Sequence, residues 1–329
     1  MPIPLRSPAD LSPLARQHER GVHSPLAEPL LLLDLAAPAA DDAALLREWL
    51  RALPAVVIGV GGDDAPLAAA CDAVVANADA AAPLVAGVRR SPLAAMVFVQ
   101  LLRASEKLPL ADALVAESLA YATLQNGPEF RAWRETATLP PPPVGDDGPA
   151  VRIERDDAVL HLTLNRPSNR NGMTIEMRDA LCEALQLALV DDAITQVELR
   201  GRGKCFSTGG DLREFGSAPD PATAHLVRSL ALPGRLLAAC AARSTAYVHG
   251  ACIGSGIELP AFAGRVVATT DAWFQLPELK YGLIPGAGGC VSIARRIGRQ
   301  RLAWLGLGGQ RIGAVQARDW GLVDVIGAA

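Results

Sequence analysis

The chain has 329 residues, of which half are apolar and 20% are charged, with a mean hydropathy of +0.22. At roughly 150 residues per domain, this length predicts about two globular units. The net charge of -4 and the pI near 5.8 argue against a nucleic-acid-binding protein, which needs a basic face. The N-terminus has no apolar signal segment and no run reaches the ~18 apolar residues of a membrane span. We therefore expect a cytoplasmic protein with neither a nucleic-acid nor a membrane partner.

The six cysteines are scattered along the chain and form no C-x-x-C pair. No histidine stands at metal-ligand spacing from them. This usage favours reduced thiols over a disulfide framework or a zinc site. The cysteines are Cys71, Cys182, Cys205, Cys240, Cys252 and Cys290.

The N-terminal part begins with a predicted strand–helix–strand unit. Residues 30–35 and 55–60 are apolar enough for buried strands, and Asp41-Asp42 opens an amphipathic helix that continues to Leu53. Glycines follow the second strand at positions 59, 61 and 62. They do not complete the dinucleotide-binding pattern G-x-G-x-x-G, so we predict a simple turn there.

A helical pattern follows from residue 91 to residue 133, and Asn126-Gly127-Pro128 interrupts it before a last short helix. No cluster of catalytic residue types occurs before residue 150. Four consecutive prolines at 140–143 and a Gly/Asp/Pro stretch at 145–149 predict an extended connector, because prolines cannot continue a helix.

Strands and helices alternate in the C-terminal part, with glycine-rich turns between them. This order predicts α/β or α+β layering. The predicted strands cover 158–164, 196–200, 245–249 and 265–269, and the predicted helices cover 174–189, 212–240 and, after a long loop at 277–289, most residues to 319.

The first turn that could carry chemistry spans residues 204–212. Gly209 and Gly210 allow close backbone approach to a ligand, and the N–H groups at a helix start are free donors for an anion or an oxyanion. A tight turn with Asp211 as the N-cap of the next helix explains the pattern equally well.

The second turn, at residues 249–260, places Glu258 among apolar residues near a predicted helix start. A buried glutamate has a raised pKa, as a proton donor near neutral pH requires. The alternative is a solvated glutamate at a helix N-terminus, which the helix dipole favours. A nucleophile pair of Ser255 and His249 is disfavoured, because the turn does not fit G-x-S-x-G.

The third turn, at residues 274–289, contains Glu278 and ends in a glycine-rich helix start. Taken alone, Glu278 is best explained as a surface ion-pair partner of Lys280. The G-A-G-G run lacks the lysine and hydroxyl of a P-loop, so nucleotide phosphates are not expected here.

Taken together, residues 151–326 resemble the crotonase (enoyl-CoA hydratase/isomerase) superfamily. Several motifs in the family's order carry the resemblance. They are L-N-R-P at 164–167, R-N at 170–171, F-S-T-G-G-D-L at 206–212, H-G-A-C-I-G-S-G-I-E-L at 249–259, P-E-L-K-Y-G-L-I-P-G-A-G-G at 277–289 and A-x-x-A-x-x-W-G-L-V-D at 314–324.

The resemblance implies an α/β (α+β) fold with a spiral core of ββα units, assembled as a homotrimer or hexamer. It assigns the two oxyanion-hole N–H groups to Gly210 and Ser255, and the two hydratase glutamates to Glu258 and Glu278. It implies an acyl-CoA thioester substrate with no metal and no separate cofactor, since coenzyme A is part of the substrate. The implied substrate-binding residues are Thr208 near the adenine, Gly209, Asp211, Gly254 and, at the water pocket, Gly286.

The chain departs from the family pattern in its site and in its ends. His249 and Ser255 replace smaller residues, and Ala251 replaces a bulkier one, which bears on the acyl group accepted. The helices that usually follow G-L-V-D resemble residues 91–135 instead. We therefore expect residues 83–139 to form a relocated helical cap, as in a circular permutation.

This interpretation divides the chain into four parts. The parts are an α/β segment at 1–82, the cap at 83–139, a linker at 140–150 and a crotonase-like core at 151–329. Within the first part, residues 30–80 could be a degenerate remnant of a second crotonase unit.

The function predicted from this resemblance is addition of water across the C2=C3 bond of an enoyl-CoA. An isomerase or an arylacetyl-CoA oxygenase could use the same oxyanion hole, although the presence of both glutamates counts against them. A non-catalytic acyl-CoA-binding subunit is the alternative from a different class, and it would need no acid pair.

Overall fold

The computed structural model describes residues 3–38, 42–62, 64–139 and 141–327. Its N-terminal sheet has four parallel strands in sequence order. They are β1 (Leu5–Arg6), β2 (Leu30–Asp34), β3 (Val56–Val60) and β4 (Ala73–Val75), accompanied by helices α1 (Pro8–Arg16) and α2 (Ala43–Ala52). The predicted strand–helix–strand unit is thus confirmed, except that Asp41 lies outside the described residues.

The alternation of side chains along β2 divides the N-terminal apolar residues between two faces. Leu31 and Leu33 pack with Trp49 of α2 in a cluster under α1 and α2. Leu30 and Leu32 belong to a second, larger core that continues into the C-terminal part of the chain. The N-terminal sheet therefore lies against the rest of the protein through its second face.

Four helices connect this sheet to the linker. They are α3 (Ala78–Arg90), α4 (Pro92–Ser105), α5 (Leu110–Gln125) and α6 (Pro128–Thr136), which confirms the helical pattern from residue 91 and adds α3, of which residues 83–90 fall within the segment predicted as a helical cap. They pack on the C-terminal part, and the Ser91 hydroxyl donates to the Leu279 carbonyl at 2.6 Å. Across the described ranges, no single helix is long and apolar enough to cross a membrane. Helices α3 and α4 reach that length and apolar composition only when taken together, and the chain bends by 111° between them.

The C-terminal part contains a six-stranded sheet and a three-stranded sheet. The first has the order β13-β10-β8-β7-β6-β5 and is parallel except for the β5/β6 pair, and the second has the order β12-β11-β9. The strands are β5 (Val151–Asp156), β6 (Val159–Leu164), β7 (Gln196–Gly201), β8 (Ser244–Val248), β9 (Ala251–Ile253), β10 (Arg265–Ala268), β11 (Trp273–Gln275), β12 (Ile312–Gly313) and β13 (Val325–Ile326).

Seven helices surround these sheets, and all six cysteines are buried and free, as the sequence predicts. The helices are α7 (Ile175–Val190), α8 (Pro221–Leu230), α9 (Pro233–Ala239), α10 (Ser255–Glu258), α11 (Gly289–Ile297), α12 (Arg299–Gly308) and α13 (Ala314–Trp320).

The prediction of helices over 212–240 is wrong in the first third of that range. The carboxylate of Asp211 accepts the N–H of Arg213 at 3.0 Å and forms an ion pair with its guanidinium, so the chain turns there instead of entering a helix. Asp211 is therefore not a helix N-cap. Helix α8 starts only at Pro221, because proline is tolerated in a first helical turn but not in a helix interior.

Candidate functional site

Two parallel strands bring the predicted glutamates together. Strand β9 pairs with β11 so that Ile253 lies opposite Gln275, and the chain leaves both strands at the same edge. Helix α10, with Glu258, follows β9, while a single 3-10 turn starting at Glu278 follows β11. Glu258 and Glu278, twenty positions apart in the sequence, therefore lie next to each other in the structure.

Gly254 lies between the two carboxyl groups and shows how close they are. Its φ of +51° is in the left-handed region that favours glycine. A Cβ atom at this position would lie 2.7 Å from Glu278 Oε1 and 3.9 Å from Glu258 Oε1. The backbone at Gly254 must therefore carry no side chain if both carboxyl groups are to face the same space.

The two glutamates face a cavity of about 390 Å³ that is lined mostly by residues of the C-terminal part. It also contains Gly210 and Ser255, so all four predicted catalytic residues meet at one site, as do the predicted binding residues Asp211 and Gly286. Thr208, Gly209 and Gly254 are not among its lining residues; Gly209 and Gly254 are adjacent in the chain to Gly210 and Ser255, and Thr208 lies two positions before Gly210. The predicted roles of these residues in binding substrate stay predictions.

Two backbone N–H groups in this cavity lack an acceptor among the residues that the structure describes. One belongs to Gly210, whose neighbours Gly209 and Asp211 both bond to Met173. The other belongs to Ser255, the first residue of α10, where no carbonyl precedes it in the helix. Both groups can therefore donate to an oxygen atom placed in the cavity.

Asn171 holds the loop that carries Gly210. It is fully buried with a φ of +53°, and its side-chain N–H groups donate to the carbonyls of Arg202, Cys205 and Phe206. The Ser207 hydroxyl donates to its carbonyl at 2.7 Å. The R-N motif thus shapes the backbone that leads into the cavity, since asparagine tolerates the left-handed conformation better than most residues.

Glu258 is buried, with 2% of its surface exposed, so the solvated alternative is wrong. Its Oε2 accepts the N–H groups of Ala287 and Gly289 at 2.8 and 2.9 Å. Burial raises the pKa of Glu258 to about 7, although the two N–H groups act in the opposite direction. This carboxyl group can therefore exchange a proton at a higher pH than an ordinary glutamate.

Glu278 is also buried, at 8% exposure, and it forms no ion pair with the exposed Lys280. The surface ion pair expected for Glu278 alone is therefore wrong. Its Oε2 is buried without a hydrogen-bond partner in the described structure. Burial, and then the charge of Glu258, raise the pKa of Glu278 well above its usual value. One acid and one base can therefore coexist at this site.

Ser255 and His249 do not form a nucleophile pair. The His249 Nε2 lies 3.0 Å from the Gly203 carbonyl oxygen, and no histidine contacts the Ser255 hydroxyl, which is buried without a described partner. No histidine of the described structure is therefore placed to activate the Ser255 hydroxyl as a nucleophile.

Helix α5, which belongs to the segment predicted as a helical cap, also faces this cavity, although none of its residues was predicted as a site residue. Glu117, Tyr121 and Gln125 follow each other at four-residue spacing and therefore lie on one side of the helix. Tyr121 and Gln125 line the cavity, and the guanidinium of Arg228 lies over the Tyr121 ring and donates to Gln125 at 2.7 Å. The available signal was Glu117 itself, a charged residue on the same helical face as Leu114 and Tyr121.

Comparison with known proteins agrees with this geometry. Residues 154–329 match the family described as enoyl-CoA hydratase/isomerase. The chain is 36% identical to the 2,3-dehydroadipyl-CoA hydratase of Escherichia coli over 52% of its own length and 67% of that protein. It is 35% identical to the 1,2-epoxyphenylacetyl-CoA isomerase of Escherichia coli over 51% of its own length and 66% of that protein.

Solved structures show the same similarity. An enoyl-CoA hydratase/isomerase from Marinobacter aquaeolei is 28% identical with a TM-score of 0.50, and the match covers 55% of this chain and 71% of that one. An enoyl-CoA hydratase from Bacillus anthracis is 26% identical with a TM-score of 0.50, over 54% of this chain and 70% of that one. The chain therefore belongs to the crotonase superfamily, as an acyl-CoA enzyme of the enoyl-CoA hydratase/isomerase family.

Proposed function

We propose that this enzyme adds water across the C2=C3 bond of an enoyl-CoA thioester. The observation that carries the proposal is the presence of two buried carboxyl groups, Glu258 and Glu278, in one cavity with two unpartnered backbone N–H groups. Isomerisation needs only a single proton-transfer group and a binding subunit needs none. The similarity to a 2,3-dehydroadipyl-CoA hydratase also supports hydration.

In the proposed reaction the thioester oxygen accepts the N–H groups of Gly210 and Ser255. Glu258 takes a proton from water as the water oxygen bonds to C3, and the π electrons move toward the thioester oxygen as an enolate. Glu278 then donates its proton to C2 as the enolate collapses. Solvent returns a proton to Glu278 and removes one from Glu258, so the net change is addition of one water molecule. The N–H groups stabilise charge that exists only in the transition state and intermediate, which is how such donors accelerate a reaction.

The rest of the predicted binding site also belongs to this proposal. Thr208 and Gly209 would lie beside the coenzyme A moiety, and Asp211, Gly254 and Gly286 would shape the space around the thioester and the water. Assembly as a homotrimer or hexamer and a cytoplasmic location stay predictions.

The test is the loss of the conjugated enoyl-thioester absorbance with short, long and aryl-substituted enoyl-CoA substrates. We expect turnover and a 3-hydroxyacyl-CoA product. A product in which the double bond has moved would establish isomerisation instead, which the match to the enoyl-CoA hydratase/isomerase family makes the second candidate. Binding of acyl-CoA without turnover would establish the binding-subunit alternative.

The pH dependence of this reaction follows from the two carboxyl groups. Glu258, with its pKa raised to about 7, must lose its proton to act as the base, so kcat/KM should rise with pH through about 7. Glu278 must keep its proton, and its pKa is raised well above the usual value, so the rate should fall again at higher pH. A profile that is flat between pH 5 and 8 would contradict this assignment.

A further inference from the structure

Helix α5 contributes a third buried carboxyl group to the region behind the cavity. Glu117 is 2% exposed and comes from the helical segment that precedes the linker. Its Oε1 accepts the N–H of Gly288 at 2.6 Å and its Oε2 accepts the N–H of Cys290 at 2.8 Å. These two residues belong to the same loop and helix start that bind Glu258.

The two glutamates hold this backbone in an alternating pattern. Glu258 accepts from residues 287 and 289, while Glu117 accepts from residues 288 and 290. Four consecutive N–H groups are thus shared between the two carboxyl groups. A shift of the backbone away from Glu117 would therefore also change the hydrogen bonds that Glu258 accepts.

We propose that Glu117 is a positioning residue for Glu258: it holds residues 287–290 so that the Ala287 and Gly289 N–H groups reach the catalytic carboxyl group. This inference rests on the proposed hydration and extends it, because it makes the segment before the linker a functional part of the active site. Glu117 itself does not line the cavity and is not expected to exchange protons with substrate.

The chemistry of the two carboxyl groups differs in a way that a glutamine substitution exposes. Glu258 accepts both of its N–H groups on a single oxygen, which a glutamine carbonyl can replace. Glu117 uses one oxygen for each N–H group, so a glutamine would set its own NH₂ against the N–H of Gly288 or Cys290. Glu117→Gln should therefore displace the loop, whereas Glu258→Gln should not.

Several other titratable or charged groups surround Glu117 and Glu258, and the Glu117→Gln substitution changes none of them. They are Glu278 after β11, Tyr121 on α5, Arg228 on α8 and Cys290 on α11. The N–H groups of Ala287 and Gly289 lower the pKa of Glu258 against the effect of burial. If Glu117→Gln removes these two hydrogen bonds, the pKa of Glu258 should rise. If the substitution only removed the negative charge of Glu117, the pKa of Glu258 would fall instead.

The experiment compares Glu117→Gln with the wild-type chain in the hydration assay across pH. We expect kcat to fall by about 10- to 100-fold, as a small misplacement of a catalytic group can cause, with KM changed by less than about threefold. The rising limb of the pH profile should move to higher pH. An unchanged limb, or a limb moved to lower pH, would overturn the positioning role.

Glu129→Gln on α6 is the matched control. Glu129 also binds two backbone N–H groups with two oxygens, those of Leu93 and Ala94 at 2.8 and 2.9 Å, but it does not line the cavity. Both variants should lose thermal stability, and only Glu117→Gln should lose kcat per folded molecule. Equal losses of kcat in the two variants would show that the Glu117 effect is general destabilisation.

A second measurement keeps this inference separate from the proposed function. Carboxyl ¹³C NMR of the full chain, with the Glu258 signal assigned through Glu258→Gln, follows the ionisation of Glu258 without any substrate. The titration midpoint should be higher in Glu117→Gln than in the wild type. If the enzyme does not hydrate enoyl-CoA but the midpoint moves as expected, the proposed function fails and the positioning role stands; an unmoved midpoint overturns the positioning role.

Discussion

Replacing Glu258 by glutamine is expected to lower kcat for hydration by about 10²–10⁴-fold, the range that a general base contributes. The substitution leaves the local geometry intact, because one carbonyl oxygen can still accept the N–H groups of both Ala287 and Gly289. What it removes is the group that takes the proton from water. The measurement is steady-state turnover of an enoyl-CoA, with product identified by chromatography.

The stability and the residual activity of Glu258→Gln distinguish a loss of the catalytic base from a loss of folding. Burial raises the pKa of Glu258 from the value near 4.5 to about 7, so folding favours the protonated carboxyl and the associated stability is lost as pH rises through this window. Glutamine cannot ionise, so at pH 8 Glu258→Gln should unfold at a temperature no lower than the wild type. Activity retained within about threefold would contradict the assignment of Glu258 as the base.

Replacing Asp72 by alanine is expected to cost about 3–5 kcal/mol of unfolding free energy, the range for breaking a buried ion pair by removing one partner. Asp72 is 1% exposed, and its carboxylate accepts the Val57 N–H at 2.8 Å and forms a two-point ion pair with Arg103 of α4. The guanidinium of Arg299 on α12 lies 3.8 Å from the same carboxylate. Without Asp72, two buried guanidinium groups would lose their shared anion.

Denaturant unfolding of the full chain measures this loss, and Asp319→Ala supplies the control. Asp319 pairs with Arg318 at the surface with both side chains at least half exposed, so its removal should cost less than about 1 kcal/mol. Asp72 lies outside the cavity, so kcat per folded molecule should not change in Asp72→Ala. If Asp72→Ala loses no more unfolding free energy than Asp319→Ala, the ion pairs of Asp72 with Arg103 and Arg299 do not stabilise the contact between the N-terminal sheet, α4 and α12.

Local pattern was sufficient for several strands with continuous or alternating apolar residues and for helices whose apolar residues repeat over several turns. It predicted β2, β3, β6, β7 and the helical run from residue 91. It failed for β9 and β11, which have three residues each, too few for alternation to be recognised. It also failed after Asp211, where a side-chain ion pair and the spacing of prolines decide against a helix.

The sequence by itself determined which residue types are available for chemistry: two glutamates, three glycine-rich turns and the motifs of the family. Only the tertiary structure decided their state. The pKa values of Glu258 and Glu278 are raised because strands β9 and β11 pair in parallel and bury both side chains in one cavity. The proposed contribution of Glu117 depends on the packing of α5 against a loop 171 positions later in the chain. No local pattern encodes this contact, because it forms only when segments distant in sequence are buried together.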